Sequence, residues 1–277
     1  MKKKVILLLT LLFTLNFFAQ PNIAQEKFHI FILMGQSNMA GFATLIEGDS
    51  APQNEMYNLL GQNKSDWGAN IEPGTEDIKW VKAKHPIHRV HNSDRFGMAI
   101  DFGKQYLKNN PNVKIGFIPC AWGGAIIGSL DKNSAVYKNA MARILYAKKH
   151  GVIKGVLWHQ GESNTVTSYL ANNYEFELHQ LIKDLRKDIE IADLPFIAGD
   201  LANFYGIDRN PEHIQGIITV RNVLRELPAK IENAGFVESV GLKWQGEGYV
   251  HFDRNAYIEL GKRYEKSYNT LMNKRNE

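Results

Sequence analysis

Two residues far apart in the chain have the types that acyl-transfer chemistry needs. Ser37 sits in Gly35-Gln36-Ser37-Asn38-Met39, directly after the apolar run 28–34. His251 sits in Gly246-Glu247-Gly248-Tyr249-Val250-His251-Phe252-Asp253, directly before a helical segment. A serine attacks a carbonyl only when a base takes its proton; histidine is the usual base, oriented by a third group that is often a carboxylate. A serine at a strand-to-helix turn also lies beside unpaired backbone N–H groups, the donors that hold an oxyanion. The same position suits a helix cap, and the two roles are compatible. His251 reads equally as a surface histidine near a helix start. The pattern is not G-x-S-x-G, since Met39 takes the second glycine's place, which counts against an α/β-hydrolase elbow.

The elements that must position these residues follow from hydrophobic pattern. Continuous apolar runs predict strands over 28–34, 113–119, 152–158, 195–199 and 235–240. Helical periodicity predicts helices over 95–107, 135–149, 169–189, 212–227 and 254–272, with Val136, Ala140, Ile144 and Leu145 facing inward in the second and Pro228 stopping the fourth. Strand followed by helix, with apolar strands, means a parallel sheet covered on both faces. In such sheets ligands bind beyond the carboxyl ends of the strands. The glycine-polar clusters G-Q-S-N, W-G-G, H-Q-G-E and G-D all fall there. The stretch 44–94, rich in Gly, Asn, Asp and Pro with Trp67 and Trp80, reads as one long ordered loop that walls the site. Within it His85, His88 and His91 are spaced like a metal cluster. Pro86 interrupts regular helix there, and no carboxylate or cysteine stands at ligand spacing, so packing and hydrogen bonding are expected instead.

The chain has 277 residues, 44% hydrophobic and 22% charged, enough for one large domain. Lys2, Lys3 and Lys4 followed by the apolar run 5–18 form the pattern of a secretory signal peptide over 1–20, with a single domain over 26–273. The apolar run is short of the roughly 20 residues of a spanning helix, so no stable membrane insertion is expected after its removal. Without those three lysines the 33 Lys and Arg fall to 30, against 29 Asp and Glu. No electrostatic case for nucleic acid remains. The mature protein is expected to be secreted or periplasmic. Cys120, the only cysteine, excludes an intrachain disulfide and reads as a small buried residue.

G-Q-S-N-M-A-G, P-C-A-W-G-G, V-L-W-H-Q-G-E-S-N, then V-H-F-D with E-L-G-K-R-Y, in this order, resemble the SGNH-type carbohydrate esterases. More narrowly, they resemble the sialate O-acetylesterase-like domain that includes acetyl xylan esterases of carbohydrate esterase family 6. The resemblance covers 28–271. It implies an α/β fold, a three-layer α/β/α sandwich with about five parallel strands in a flavodoxin-like SGNH arrangement. It implies removal of O-acetyl groups from carbohydrates such as xylan or sialic acid, with no metal or organic cofactor. Ser37 would be the nucleophile and His251 the base. The Ser37 amide, Gly123 or Gly124, and the Gln160 side chain would form the oxyanion hole. Asn38, Trp122 and His159 would contact or wall the substrate.

The third group departs from the family pattern. The usual aspartate three residues before the histidine is Gly248 here, and Glu247 stands one place earlier. Glu162 of H-Q-G-E is the other acid that the resemblance offers. Asp253 suits the helix start, and Asp200 suits a wall residue or a helix-start acid. Two other readings stay open: a non-catalytic carbohydrate-binding protein on the same scaffold, and a general short-chain carboxylesterase.

Overall fold

The computed structural model describes residues 25–61, 78–88, 95–246 and 248–276. The segment read as a signal peptide, Trp67, His91 and Glu247 lie outside the described residues. Strand β1, Phe28–Gly35, is buried on both faces from Ile30 on and forms the centre of the sheet. A single helical turn, α1 (Ser37–Ala40), follows it, and then β2 (Ala43–Thr44), β3 (Met56–Leu60), β4 (Lys79–Lys82) and β5 (Arg95–Phe96). The rest alternates: α2 (Ala99–Asn109), β6 (Lys114–Ala121), α3 (Ala135–Lys148), β7 (Val152–His159), α4 (Ser168–Ile189), β8 (Phe196–Gly199), α5 (Pro211–Lys230), β9 (Ala234–Val237) and α6 (Arg254–Asn276).

The main sheet runs β4-β3-β6-β1-β7-β8-β9. All neighbours are parallel except the edge pair β3–β4. Helices α2 and α6 pack together, while α3, α4 and α5 form the other layer. The five strands expected from the apolar runs are β6-β1-β7-β8-β9, which in chain order is 2-1-3-4-5, the flavodoxin-like order. After β6 the chain crosses to the other side of β1. The carboxyl end of β1, flanked by β6 and β7, is therefore the topological switch point, where such sheets bind ligands.

The stretch 44–94 departs from the expected loop. It contributes β3 and β4 to the sheet and β2 to a two-stranded ribbon with β5. The Met56–Leu60 run is fully buried, but its five residues stand among turn formers that mask the signal. Because Arg95 and Phe96 pair with Thr44 and Ala43, α2 begins at Ala99 and not at 95. Helix α5 passes through Pro228 to Lys230, since proline removes only one bond and ends the helix within a turn. Leu145 points outward, 44% exposed, while its neighbour Ile144 is buried. Cys120 is buried as expected, which pushes its thiol up to about 12. No helix among the described residues is long and apolar enough to cross a membrane.

Candidate active site

Strand β1 ends at Gly35, whose φ of +142° turns the chain out of the sheet. The Gln36 N–H donates to the His159 carbonyl at 2.9 Å, and the Trp122 N–H donates to the Gly35 carbonyl at 2.9 Å. The turn that carries Ser37 is thus tied to the ends of both neighbouring strands. The Gln36 carbonyl accepts from Met39 and Ala40, so the Ser37 and Asn38 amides start the one-turn helix without an intrahelical acceptor. Gly41, with φ +92°, follows at once. A Cβ there would stand 2.6 Å from Gly97 Cα, so glycine is required where the chain after Ser37 crosses the chain before α2.

Ser37 Oγ lies 3.0 Å from His251 Nε2, so the hydroxyl donates to the neutral ring. The imidazole stacks on Phe42 with centroids 3.8 Å apart and 19° between planes. The Arg95 guanidinium lies 4.1 Å over the same Phe42 ring and donates to the Phe42 carbonyl. Burial, and secondly the Arg95 charge, lower the His251 pKa to about 4. Among the described residues no hydrogen bond reaches His251 Nδ1. Asp253 serves the start of α6, accepting from the Ala256 N–H at 2.7 Å, as its position suggests. Arg254 makes a bidentate ion pair with Asp49, which fastens the segment around Asp49 to the start of α6.

Several side chains have roles different from those the sequence suggests. Asn38 is not open to substrate; it is completely buried. Its Nδ2 donates to Glu162 Oε1 at 2.6 Å and to the Val250 carbonyl at 3.0 Å. Its Oδ1 accepts from Tyr257 Oη at 2.9 Å and from the Phe252 N–H at 3.5 Å. Glu162 therefore bonds Asn38 and not His251. Its carboxyl is fully buried, and the burial raises its pKa.

Gln160 is also fully buried. Its Nε2 donates to the Ala125 carbonyl at 3.0 Å and to Asn164 Oδ1 at 2.7 Å. Asn164 Oδ1 accepts the Ile127 N–H as well, at 2.9 Å, which fixes both amide orientations. With both N–H groups engaged, the Gln160 side chain braces the 122–127 turn instead of donating to an oxyanion. His159 is enclosed too. Its Nδ1–H donates to Tyr264 Oη at 3.0 Å, since Tyr264 gives its own proton to the Trp158 carbonyl at 2.6 Å. Burial lowers the His159 pKa to about 3. It is a neutral prop behind the site, not a substrate contact.

Gly123 and Trp122 are half-buried and Gly124 is exposed. The Trp122–Gly35 bond brings all three beside the serine turn. Asp200 neither walls the site nor starts a helix: it is buried in an ion pair with Arg221 at 2.6 and 2.9 Å. His85 and His88 are buried in the loop, and burial lowers them to about 4 and about 3. Sequence reasoning did not identify Phe42, Arg95 and Tyr257.

A family model described as "Carbohydrate esterase, sialic acid-specific acetylesterase" matches residues 27–270. A probable carbohydrate esterase of Arabidopsis thaliana is 28% identical over 246 residues, covering 86% of this chain and 89% of the relative. The crystal structure of an Arabidopsis thaliana protein superposes with a TM-score of 0.70 at 27% identity, covering 87% of this chain and 98% of that one. A carbohydrate acetylesterase from Xanthomonas citri shares the fold with a TM-score of 0.64 at 20% identity, covering 87% of this chain and 56% of that one.

Proposed function

The chain belongs to the sialic acid-specific acetylesterase family of carbohydrate esterases, and from that membership, with the signal-like pattern of 1–20, we propose that it is a secreted serine esterase removing O-acetyl groups from xylan- or sialic acid-type carbohydrates. Carboxylic ester hydrolysis is the chemistry of the family. The observation that carries the mechanism is the 3.0 Å contact between Ser37 Oγ and His251 Nε2 at the switch point of the sheet.

Ser37 Oγ attacks the acetyl carbonyl carbon while His251 Nε2 takes the hydroxyl proton. The carbonyl oxygen becomes an oxyanion, for which the Ser37 amide and the amide of Gly123 or Gly124 are the available donors. Each such donor typically contributes about 3 kcal/mol to the transition state. Collapse breaks the bond to the sugar oxygen, which leaves with the proton from His251. Water then adds to the acetyl-serine with His251 again as base, and acetate departs. Glu247, four residues before His251 in the sequence, is the acid that this reading keeps as the third member of the triad. Glu247→Gln is expected to lower kcat at least tenfold, about 1.4 kcal/mol. Full turnover in that variant would remove Glu247 from the triad.

The reading is tested by acetate release from a panel of acetylated xylans and O-acetylated sialic acids. Release from at least one class is expected. Glycan binding without release, or hydrolysis confined to simple short-chain esters, would overturn it. The pH profile is a second test. A lowered His251 pKa keeps the ring neutral and basic above about pH 4, and activity falls as pH drops through that value. In Glu247→Gln, which lacks the proposed acid partner, the acid limb of kcat/KM is therefore expected near pH 4, and in that background Arg95→Gln should move it upward by removing a cation from beside the ring. An acid limb at or above the ordinary histidine value would contradict this environment for the base.

A further inference from the structure

We infer that Asn38 and Glu162 together position the base, with Asn38 clamping the chain on both sides of His251 and Glu162 anchoring Asn38 as a hydrogen-bond acceptor, not as the acid of a triad. The inference rests on the reading of Ser37 and His251 as nucleophile and base.

The geometry is that of consecutive residues addressing consecutive residues. Ser37 meets His251, and Asn38, the next residue, meets Val250 and Phe252 on either side of it. A carboxamide offers two N–H donors and two lone pairs. All four are used here: Val250 carbonyl and Glu162 take the protons, Tyr257 and Phe252 supply theirs. Turning the amide over would set oxygen against oxygen at Val250 and nitrogen against nitrogen at Phe252, so its orientation is determined. The base loop is therefore registered to the nucleophile turn by a side chain one residue from the nucleophile. Stacking on Phe42 then sets the plane of the imidazole.

Glu162 fixes Asn38 from the third strand end. Its own carbonyl accepts from Thr165 Oγ1 at 2.7 Å and Tyr205 Oη at 3.0 Å, so its backbone is held. Its Oε1 has only Asn38 as partner, and its buried Oε2 has none among the described residues. A carboxylate serving as a triad acid would spend an oxygen on His251 Nδ1; neither oxygen of Glu162 does so. Burial raises its pKa and so works against the charged form, and its contact, an oxygen accepting from Asn38, is one that a glutamine carbonyl makes equally well.

The test is the set Glu162→Gln, Glu162→Ala, Asn38→Ala and Asn38→Asp, measured for kcat, KM and the pH profile on one chromogenic acetate ester. Misplacing a reacting group by about 1 Å costs on the order of 100-fold. Glu162→Gln is expected to keep kcat within about threefold with the same acid limb, whereas Glu162→Ala loses at least about tenfold in kcat with KM nearly unchanged. Asn38→Ala and Asn38→Asp are expected to lose on the order of 100-fold, because neither can donate to both Val250 and Glu162. A Glu162→Gln variant as impaired as Glu162→Ala would show that the carboxylate charge is needed and would overturn the inference. So would an Asn38→Ala variant with wild-type kcat. Should the Asn38 variants fail to fold, the near-isosteric glutamine against alanine at 162 still decides it. If Ser37→Ala remains active the underlying reading fails. If Ser37→Ala is inactive while Asn38→Ala is fully active, only the positioning role fails.

Discussion

Ser37→Ala is expected to lower kcat by about 10⁴- to 10⁶-fold while changing KM little, a loss of roughly 5–8 kcal/mol of transition-state stabilisation. The size follows from what the hydroxyl does. Covalent catalysis divides acetyl transfer into two easier steps, and among the described residues only Ser37 Oγ stands within hydrogen-bond reach of His251 Nε2, at 3.0 Å. The substitution removes one oxygen whose hydrogen-bond partner is that histidine. The backbone bonds from Gln36 to His159 and from Gly41 to the Ser37 carbonyl do not involve it. The variant should therefore fold, and its thermal unfolding should match wild type within a few degrees. Some rate above solution should remain, because amide donors still hold the oxyanion and substrate still binds. The measurement is hydrolysis of a chromogenic acetate, together with pre-steady-state detection of the acetyl-enzyme burst in wild type and its absence in the variant. A variant within tenfold of wild type would exclude Ser37 as the nucleophile.

Ser37 at the end of a buried strand was legible for a local physical reason. A strand buried on both faces must be apolar throughout, and the run ending at Gly35 has no competing reading. His251 was singled out by the order of motifs that ends in V-H-F-D, since its local sequence reads equally as a surface histidine near a helix start. Strand β3 was not legible: it is five residues long and stands among turn formers, and only its partners β6 and β4 make it a strand.

Side-chain direction was lost for the same reason at Asn38, Gln160, His159 and Glu162. Each is polar, and each adjoins a strand end where substrate contact is the natural guess. What decides their role is the partner, and the partners lie on other elements: Val250 and Tyr257 for Asn38, Ala125 for Gln160, Tyr264 for His159. A buried polar group must find its hydrogen bonds somewhere, but the sequence does not say where. Arg95 escaped notice because helical periodicity absorbed it into α2, whereas pairing with Thr44 carries it over Phe42 and towards His251.

Gly35→Ala is expected to be the most damaging small substitution in the fold. Two independent penalties act there. The φ of +142° lies where L-residues are strained, which costs about 1–3 kcal/mol. An added Cβ would also stand 2.1 Å from the His159 carbonyl oxygen and 2.7 Å from its carbon. That neighbour is backbone of the adjacent strand, fixed by parallel pairing along β1 and by the Gln36 N–H, so it cannot rotate away. Forcing atoms into a packed region costs about another 1–3 kcal/mol. The expected loss is therefore about 3–5 kcal/mol, or a fall in Tm of roughly 10 °C for a chain of this size.

Gly241→Ala is the control. Its φ of +78° is also positive, but nothing lies within 4 Å of the added Cβ and the site is exposed, so only the conformational cost of about 1–2 kcal/mol applies. Urea and thermal unfolding of the two variants separate the terms. Equal losses would mean that backbone strain alone governs Gly35. A larger loss at Gly35, with a fall in kcat in the fraction still folded, is the expected outcome. The displaced His159 carbonyl is the acceptor that holds Gln36, and through it the turn that carries Ser37.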